Sequence, residues 1–380
     1  MKFAIVNTTI VMPDHLIPCG TIVIDDEKIV DFGKKICTDG MNIVDANGEY
    51  TGPGLIDIHT HAGGGHLFVT DPVKASNYLL SRGITTVLPA LYFSNDRDKL
   101  IFQAKKIKSA ATSGECDNIF GLYMEAPYMN PEFGASKESC PWRGKIKTED
   151  YFPLLEYLKG YAKVYVIAPE RPGILEFVKD AKAMDPNVRF SVGHSKATPE
   201  DIEALLPFGL CNVTHHTNAT GTLQKYPECR TACVDETALY NDTLYTELIC
   251  DKVGIHVEPY ILRLTKKIKG DDKIILISDA SAEKGPIPKK GDYSEADDLT
   301  FDFEGEISGT KLTLSDACRN MMIHTGSSIC QVFKYASTNP ATMLGLNDRG
   351  VIKKGNIANL VTVDHLFNVK SVYLNGKKVR

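Results

Sequence analysis

Residues 54–61 read Gly54-Leu55-Ile56-Asp57-Ile58-His59-Thr60-His61, and this stretch gives the first indication of the fold. The first part of it predicts a short buried strand, and side chains two residues apart on a strand point to the same face. His59 and His61 therefore converge at the carboxyl end of that strand. Imidazole is the commonest side-chain ligand for metals such as zinc. The pair indicates a metal site, and the alternative is two unrelated surface histidines.

Four further side chains of metal-binding type follow apolar runs later in the chain. Each comes at the carboxyl end of a predicted strand, and in a parallel (β/α)8 barrel those ends form one face. Any one of the four could be an ordinary hydrogen-bonded structural residue, but their common placement predicts a single pocket. They are Glu125, His194, His215 and Asp279.

The middle of the chain alternates predicted strands with predicted helices, which is the pattern of a parallel sheet with crossover helices. The eight strand candidates are 54–58, 85–91, 119–125, 163–168, 188–193, 211–214, 245–250 and 273–279. The predicted fold class is therefore α/β, with a (β/α)8 TIM-type barrel. After the eighth strand, residues 298–314 predict an inserted hairpin, and Ser315 is predicted as the N-cap of the next helix.

The two ends of the chain follow another pattern, with short β-rich runs separated by turn residues. Asn375-Gly376, near the carboxyl terminus, is a hairpin signal. We expect residues 1–50 and 350–380 to pair into one small composite β-sandwich domain, because pairing would close their sheet edges. Residues 51–349 are then the barrel domain.

Composition limits the classes of function. The chain has 380 residues, 43% of them hydrophobic and 24% charged, as is ordinary for a globular protein. Its net charge of −5 gives no electrostatic reason to expect binding to nucleic acid or to a membrane. The amino terminus turns polar too soon for a signal peptide. No apolar run approaches the length of a membrane span, so we expect a cytoplasmic protein. The ten cysteines include no Cys-x-x-Cys pair, which argues against a zinc ribbon or a disulfide-stapled secreted domain.

Longer motifs extend over nearly the whole chain. They are Pro53–His61, Met124–Pro131, Gly193–Thr198, Thr214-His215 with Asn218-Ala219, Gly254–Val257, Ser278–Ala280, Gly309–Leu314, and Asn339–Ala341 with Leu344–Leu346. Together they resemble the amidohydrolases, and within them the N-acetylglucosamine-6-phosphate deacetylases. The resemblance implies hydrolysis of the N-acetyl group of N-acetylglucosamine 6-phosphate to glucosamine 6-phosphate and acetate. It also implies a small amino-sugar phosphate as the binding partner, and a homodimer.

The resemblance further implies how the six ligands are used. His59 and His61 would hold one divalent ion with Asp279, His194 and His215 would hold another, and Glu125 would bridge the two or favour the second. We expect one or two ions per chain, zinc before iron, manganese or cobalt. Asp279 would also accept a proton from the attacking water and pass it to the leaving nitrogen. The alternative is that this aspartate only caps the loop that follows it.

Substrate contacts are predicted from fewer residues. By resemblance, His256 contacts the substrate or its phosphate, and Asn218 and the backbone of Ala219 could bind an anion. The basic His-Arg-Glu-Pro-Gly segment of the family is replaced here by a segment that includes Lys225. We therefore expect Lys225 or Arg230 to supply the positive charge, if the substrate is phosphorylated.

Two other functions stay open at this point. The chain could hydrolyse another amide, such as a phosphate-free acylamino compound, an N-acyl amino acid or a cyclic ureide. It could also be an inactive barrel scaffold, although a scaffold has no physical need for six convergent donors. The sequence assigns no role to His66, His216, Ser136, Trp142 and Arg143.

Overall fold

The structure is a computed structural model that describes residues 2–226, 228–288 and 293–380, apart from the side chains of residues 225 and 226. The strands are β1 (Lys2–Val11), β2 (Leu16–Asp25), β3 (Lys28–Gly33), β4 (Asn42–Asp45), β5 (Tyr50–Pro53), β6 (Leu55–Thr60), β7 (Ala62–Gly63), β8 (His66–Leu67), β9 (Ile84–Tyr92), β10 (Leu122–Glu125), β11 (Ala162–Ile167), β12 (Arg189–Val192), β13 (Leu210–Val213), β14 (Leu223–Tyr226), β15 (Cys229–Thr231), β16 (Tyr245–Ile249), β17 (Ile274–Ile277), β18 (Leu299–Phe301), β19 (Ile307–Thr310), β20 (Leu360–Val363), β21 (Val369–Leu374) and β22 (Lys377–Lys378).

The helices lie mainly between the strands of the middle region. They are α1 (Pro72–Ser81), α2 (Arg97–Thr112), α3 (Thr148–Leu158), α4 (Ile174–Met184), α5 (Pro199–Glu203), α6 (Val234–Tyr240), α7 (Pro259–Lys269), α8 (Leu314–Thr325), α9 (Ile329–Phe333) and α10 (Asn339–Leu344). Short 3-10 turns occur at Lys137–Ser139 and Leu206–Phe208, and a π-helical turn at Lys334–Thr338.

Eight parallel strands form the central sheet, in the order β6, β9, β10, β11, β12, β13, β16 and β17. Beyond the last strand, the sheet closes on itself through backbone hydrogen bonds. The N–H of Asp279 donates to the carbonyl of His59 at 3.0 Å, and the N–H of His61 donates to the carbonyl of Ala280 at 2.8 Å. The predicted (β/α)8 barrel is confirmed.

The barrel strands are rich in apolar residues because both of their faces are buried. Every residue of β17 is buried, and so is every residue of β6. Each predicted strand overlaps an observed one, and their ends differ by at most three residues. The largest difference is at β10, where Ile119 makes only an isolated bridge to Val87.

The connecting helices cover the outside of the barrel with one apolar face. In α4, for example, Phe177 and Val178 are buried, and the ring of Phe177 packs edge-on against Tyr165 of β11 at 5.6 Å. Across the described ranges, no helix is both long and apolar enough to pass through a bilayer.

Strands from both ends of the chain form one mixed sheet, in the order β22, β21, β20, β5, β1, β2 and β3, with β4 also paired to β1. The two ends meet where β20 runs antiparallel to β5, with Leu360 opposite Pro53. Ile5, Ile22 and Tyr373 belong to the separate apolar core of this sheet. A composite β-rich domain is therefore confirmed, with its strands joined in a single sheet. The boundaries at residues 50 and 350 stay a prediction.

Local turn and cap predictions can also be compared with the structure. Asn375 and Gly376 link β21 to β22 with φ values of 49° and 72°, as a type I′ hairpin requires. The inserted hairpin after the eighth strand is β18 and β19. The predicted N-cap at Ser315 is wrong, because Ser315 lies inside α8. Thr313 caps that helix instead, and its backbone N–H donates to the side chain of Asp316 at 3.1 Å.

Candidate metal centre

The six predicted ligands all lie at the carboxyl end of the barrel. This position follows from the parallel sheet, in which every strand ends at the same face. His59 is in β6 and His61 follows it, Glu125 ends β10, and His194, His215 and Asp279 each come two residues after β12, β13 and β17. The structure therefore brings together side chains that are up to 220 residues apart in sequence, as the separation of His59 and Asp279 shows.

Glu125 occupies the centre of the group, and its two oxygens face different histidines. Oε1 lies 2.7 Å from Nε2 of His194 and 3.1 Å from Nε2 of His215. Oε2 lies 3.2 Å from Nε2 of His61 and 3.5 Å from Nε2 of His59. One carboxylate thus contacts two separate imidazole pairs.

Asp279 completes the pair formed by His59 and His61. Its Oδ1 lies 3.6 Å from Nε2 of His59 and 3.5 Å from Nε2 of His61. The donors divide into two groups. Within each group, the ligand atoms all lie within 4.8 Å of one another. The first ligand set is His59, His61 and Asp279, and the second ligand set is Glu125, His194 and His215.

Three of the six ligands have left-handed backbone conformations. The φ values are 45° at His194, 28° at His215 and 43° at Asp279. Residues other than glycine seldom adopt this region, at a cost of roughly 1–3 kcal/mol each. Such strain persists only where neighbouring structure enforces it, and it clusters at functional sites. Here it occurs just beyond the strands, where the chain turns and directs each side chain into the mouth of the barrel.

Backbone carbonyls orient the two histidines of the second ligand set. Nδ1 of His194 lies 3.3 Å from the carbonyl oxygen of Phe133, and Nδ1 of His215 lies 3.2 Å from the carbonyl oxygen of Asn218. A carbonyl can only accept, so each Nδ1 donates, and in a neutral ring the lone pair is then on Nε2 and faces the centre. Partners of this kind commonly fix the tautomer of metal-binding histidines.

The charges in the site are strongly coupled. Burial alone would lower the pKa of His61, but the carboxylates of Asp279 and Glu125 raise it to about 9. Burial would raise the pKa of Glu125, yet His59 and His194 hold it well below its usual range. The pKa of Asp279 is also lowered, against the effect of burial, by His59 and His61. The carboxylates therefore stay ionised and favour positive charge among the imidazoles.

These residues fit a divalent metal. Nε2 of His59 is buried and has no hydrogen-bond partner among the described residues. Nε2 of His194 and Nε2 of His215 lie 3.0 Å apart, and their two lone pairs repel unless a proton or a cation lies between them. Imidazole nitrogen and carboxylate oxygen are the usual ligands of zinc and its neighbours. The donor set is that of a divalent-metal site.

A cavity of about 570 Å³ opens over this centre. Of the predicted substrate contacts, His256, Asn218 and Ala219 line it. The loop of His256 is fixed by the buried carboxylate of Asp251, whose Oδ2 accepts the backbone N–H of His256 at 2.7 Å and lies 3.2 Å from its Nδ1.

Unlike these three residues, the two cationic residues predicted to contact a phosphate are not found in the cavity lining among the described side chains. Arg230 is exposed and its guanidinium contacts Glu236. Among the described residues, the cavity lining does not include Arg230. Lys225 belongs to β14, but its side chain lies outside the part of the chain that the structure describes.

Sequence reasoning missed several residues of the site. Tyr92, Lys99 and Lys137 line the cavity, and Glu247 lies beneath it in contact with His59. Tyr92 ends β9, so the strand-end rule that found the ligands could also have found this tyrosine. Glu247 has a weaker signal, a single acid within the apolar strand β16.

Of the residues to which the sequence assigns no role, one lines the cavity and the other four lie elsewhere. Ser136 lines the cavity. Trp142 is buried and its indole donates to the carbonyl of Asn95 at 2.8 Å, while Arg143 donates to the carbonyl of Lys137 at 2.7 Å. The last two are His66, in the short hairpin of β7 and β8, and His216, which is buried behind its neighbour His215.

Comparisons with known proteins agree with this geometry. The model of the amidohydrolase family matches residues 51–379. The N-acetylglucosamine-6-phosphate deacetylase of Haemophilus influenzae is 26% identical over 394 residues, covering 99% of each chain. The N-acetylgalactosamine-6-phosphate deacetylase of Escherichia coli O157:H7 is 26% identical over 351 residues, covering 89% of each.

Solved structures give the same result. The crystal structure of N-acetylglucosamine-6-phosphate deacetylase from Thermotoga maritima matches with a TM-score of 0.83 and 25% sequence identity, over 100% of this chain and 99% of that one. The family model covers most of the sequence and includes all six ligands. The chain belongs to the amidohydrolase family.

Proposed function

We propose that this chain is a metal-dependent deacetylase that converts N-acetylglucosamine 6-phosphate and water to glucosamine 6-phosphate and acetate. The observation that carries the proposal is the position of Glu125 between two ligand sets at the mouth of the barrel. The full-length similarity to relatives named for this reaction supports the choice of substrate.

The first ligand set would hold one divalent ion and the second would hold another, and Glu125 of the second set also contacts the imidazoles of the first. Zinc is our first choice because imidazole and carboxylate ligands suit it, and iron, manganese and cobalt are alternatives that use the same donors. When bound, a divalent ion polarises the amide carbonyl and lowers the pKa of water to about 7.

Asp279 is the proposed proton carrier. Its side chain is 13% exposed and lines the cavity, so that a substrate can reach it. The carboxylate takes a proton from the attacking water and donates it to the departing nitrogen. Its backbone is held at the same time, because the N–H of Thr310 donates to the carbonyl of Asp279 at 2.9 Å.

The cavity suits a polar small molecule. Its volume of about 570 Å³ is within the range typical of small-molecule sites. A phosphate group needs a cationic partner when it leaves water. Lys99 and Lys137 are the two lysines that line the cavity in the described part of the chain, so they are the proposed partners of the phosphate.

A second candidate substrate is N-acetylgalactosamine 6-phosphate, which the relative from Escherichia coli O157:H7 supports. The two sugars differ only in the configuration of one hydroxyl group. Discrimination between them therefore depends on hydrogen bonds within the cavity rather than on the metal centre. A different amide substrate and an inactive scaffold are the remaining alternatives.

The proposal is tested with purified protein of measured metal content. Release of free amine and acetate is followed with both 6-phosphorylated sugars, with unphosphorylated N-acetylglucosamine, with an N-acetyl amino acid and with a cyclic ureide. We expect the highest kcat/KM for N-acetylglucosamine 6-phosphate, and turnover lowered by about 10²- to 10⁴-fold in the Asp279→Asn variant. Preference for the amino acid or the ureide would show a different amidohydrolase. A metal-loaded protein that turns over none of the compounds would support the scaffold.

Two further proposals concern the state of the protein. A homodimer is proposed from the family resemblance, and light scattering after size-exclusion chromatography measures it directly. A cytoplasmic location is proposed from the ten cysteines, which include no Cys-x-x-Cys pair. Cell fractionation with an antibody against the chain tests the location.

A further inference from the structure

We propose that Glu247 of β16 is a positioning residue that selects the metal-binding tautomer of His59 and connects the two ligand sets. The proposal rests on the proposed metal centre and adds a residue that does not itself contact substrate. Glu247 is 0% exposed, in the middle of an otherwise uncharged barrel strand. A carboxylate at such a position is costly unless its oxygens are fully hydrogen-bonded.

Four groups surround this carboxylate. Oε1 accepts from the hydroxyl of Tyr123 at 2.9 Å and from the side-chain amide of Asn212 at 2.5 Å. Oε2 accepts from the backbone N–H of His215 at 3.2 Å and lies 3.3 Å from Nδ1 of His59. Glu247 thus contacts a side chain of the first ligand set and the backbone of the second.

These contacts determine which ring nitrogen of His59 carries a hydrogen. The backbone N–H of His215 is a permanent donor, so Oε2 of Glu247 acts as an acceptor. Nδ1 of His59 must therefore donate, so that in the neutral ring the lone pair is on Nε2. That nitrogen faces Oε2 of Glu125 at 3.5 Å and Oδ1 of Asp279 at 3.6 Å. It is the same buried nitrogen that has no hydrogen-bond partner in the described part of the chain.

Tyr123 fixes the plane of the same imidazole. Its ring stacks on that of His59 with centroids 4.4 Å apart and an angle of 20° between the planes. Because its hydroxyl also bonds Glu247, the tyrosine and the glutamate act as one support beneath the first ligand set. Outer partners of this type typically change metal affinity by about 10- to 100-fold when they are removed.

The contact with His215 gives Glu247 a second effect. His215 has a φ of 28°, so its backbone is strained. The hydrogen bond from its N–H to Glu247 helps to hold this conformation, in which Nε2 faces Glu125 at 3.1 Å. The glutamate therefore holds one ligand from each set, His59 through its side chain and His215 through its backbone.

The test uses Glu247→Gln, which keeps the size of the side chain but replaces one acceptor with an amide donor. Co²⁺ is the probe, because its visible absorption reports the geometry of its ligands. We expect the variant to fold, to bind Co²⁺ about 10- to 100-fold more weakly at one site, and to show an altered spectrum. Wild-type affinity with a wild-type spectrum would overturn the proposal.

A matched control is Asp271→Asn, the same change from acid to amide in a half-buried residue before β17, at the opposite end of the barrel. Asp271 accepts from the side-chain amide of Gln331 at 3.0 Å. This control should keep the wild-type Co²⁺ affinity and spectrum. Equal losses in Asp271→Asn and Glu247→Gln would mean that general destabilisation is responsible, and would also overturn the proposal.

Tyr123→Phe covers the case in which Glu247→Gln fails to fold. It keeps the stacked ring and removes only the hydroxyl that bonds Glu247, so we expect a smaller loss of Co²⁺ affinity of the same kind. Unchanged affinity in Tyr123→Phe would overturn the proposal in that case. These Co²⁺ measurements use no substrate, so they are independent of the substrate panel described above. A wild-type protein that binds Co²⁺ but releases no acetate in that panel would disprove the proposed function and leave this inference standing.

Discussion

Nε2 of His194 and Nε2 of His215 lie 3.0 Å apart, and both face the same oxygen of Glu125. Both rings donate through Nδ1 to backbone carbonyls, so in the neutral rings the inward nitrogens carry the lone pairs. Two lone pairs at this distance are stable together only when a positive species neutralises them. The folded barrel therefore favours a bound cation between these two nitrogens. We expect the stability of the folded state to depend on metal.

Metal removal should lower the melting temperature as well as the activity. A ligand that binds only the folded state at 100 times its Kd stabilises it by about 2.7 kcal/mol. We expect chelator-treated protein to melt several degrees lower and to recover with added Zn²⁺. His215→Asn should recover less, because one ligand of the second set is missing. A melting temperature that is independent of metal in the wild type would contradict the proposed centre.

The number of ions can be tested by removing one pair of ligands. The double variant His59→Asn and His61→Asn should bind one ion fewer per chain than the wild type, because the second ligand set remains intact. His66→Asn is the control, since His66 belongs to neither set. Metal analysis by mass spectrometry gives the stoichiometry. Equal metal content in the double variant and the wild type would argue for a single ion at the second set.

Asp279→Asn separates metal binding from proton transfer. The amide has the same shape and can still coordinate weakly, but it cannot carry a proton. We expect kcat to fall by about 10²- to 10⁴-fold, the usual loss for a general acid or base. Metal content and circular dichroism are measured in parallel. A variant with full metal content and near wild-type kcat would exclude the proton-carrier role.

Specificity for phosphate can be assigned to one of two pairs of cationic residues. The structure favours Lys99 and Lys137, which line the cavity, whereas the sequence favours Lys225 and Arg230. Losing a hydrogen bond to a charged group costs about 1.5–3 kcal/mol, roughly 10- to 100-fold in affinity. We expect Lys99→Ala with Lys137→Ala to raise KM for the phosphorylated sugar by that factor.

The unphosphorylated sugar is the internal control for this experiment, and its KM should not change. The double variant Lys225→Ala with Arg230→Ala is the matched comparison, since it removes the same charge from the β14–β15 hairpin. A KM increase confined to this second variant would favour the sequence-based assignment. Equal effects on both sugars would mean that the lysines do not recognise phosphate.

The terminal sheet should contribute a pH-dependent term to stability. Asp364 is 9% exposed, and it accepts from the N–H groups of Leu366 at 2.9 Å and Asn368 at 2.8 Å and from Nζ of Lys370 at 3.0 Å. Burial alone would raise the pKa of Asp364, but these hydrogen bonds together lower it. The pKa is thus lower in the folded state than in the unfolded state, where it is about 3.9. This stabilisation is complete above the unfolded pKa and is lost as the pH falls.

Asp364→Asn should therefore lower the free energy of unfolding by roughly 1–3 kcal/mol near pH 7, and by less as the pH falls below about 4. Urea unfolding of the wild type and the variant near pH 7 and again below about pH 4 measures the loss of stability under each condition. Asp98→Asn, at an exposed position of α2, is the control and should have little effect at either pH. A penalty for Asp364→Asn that does not change with pH would contradict the argument.

The barrel and the convergence of the six side chains that we propose as ligands could be predicted because one physical rule connects them. Apolar runs give the strands, and parallel strands place their carboxyl ends on one face. His194 and Asp279 could be found without knowing any register, because each simply follows the end of a strand. Tyr92 satisfies the same rule at the end of β9 and was overlooked.

The support and the cationic lining of the site could not be predicted in this way. Glu247 lies within a strand, and whether it faces the barrel interior depends on strand register and barrel closure. Lys99 and Lys137 come from a helix and a 3-10 turn, which reach the cavity only through tertiary packing. Arg230 was expected near the substrate from charge alone, but its contact with Glu236 depends on the fold of the hairpin and α6.

The pairing of β5 with β20 has a consequence for biosynthesis. The hydroxyls of Thr51 and Thr362 lie 3.0 Å apart across this pair, although 311 residues separate them in sequence. At about 5–20 residues per second, β20 leaves the ribosome roughly 15–60 s after β5. During that interval β5 is an open edge that can pair with other strands. The terminal sheet therefore stays incomplete until β20 has been made, after every strand and helix of the barrel.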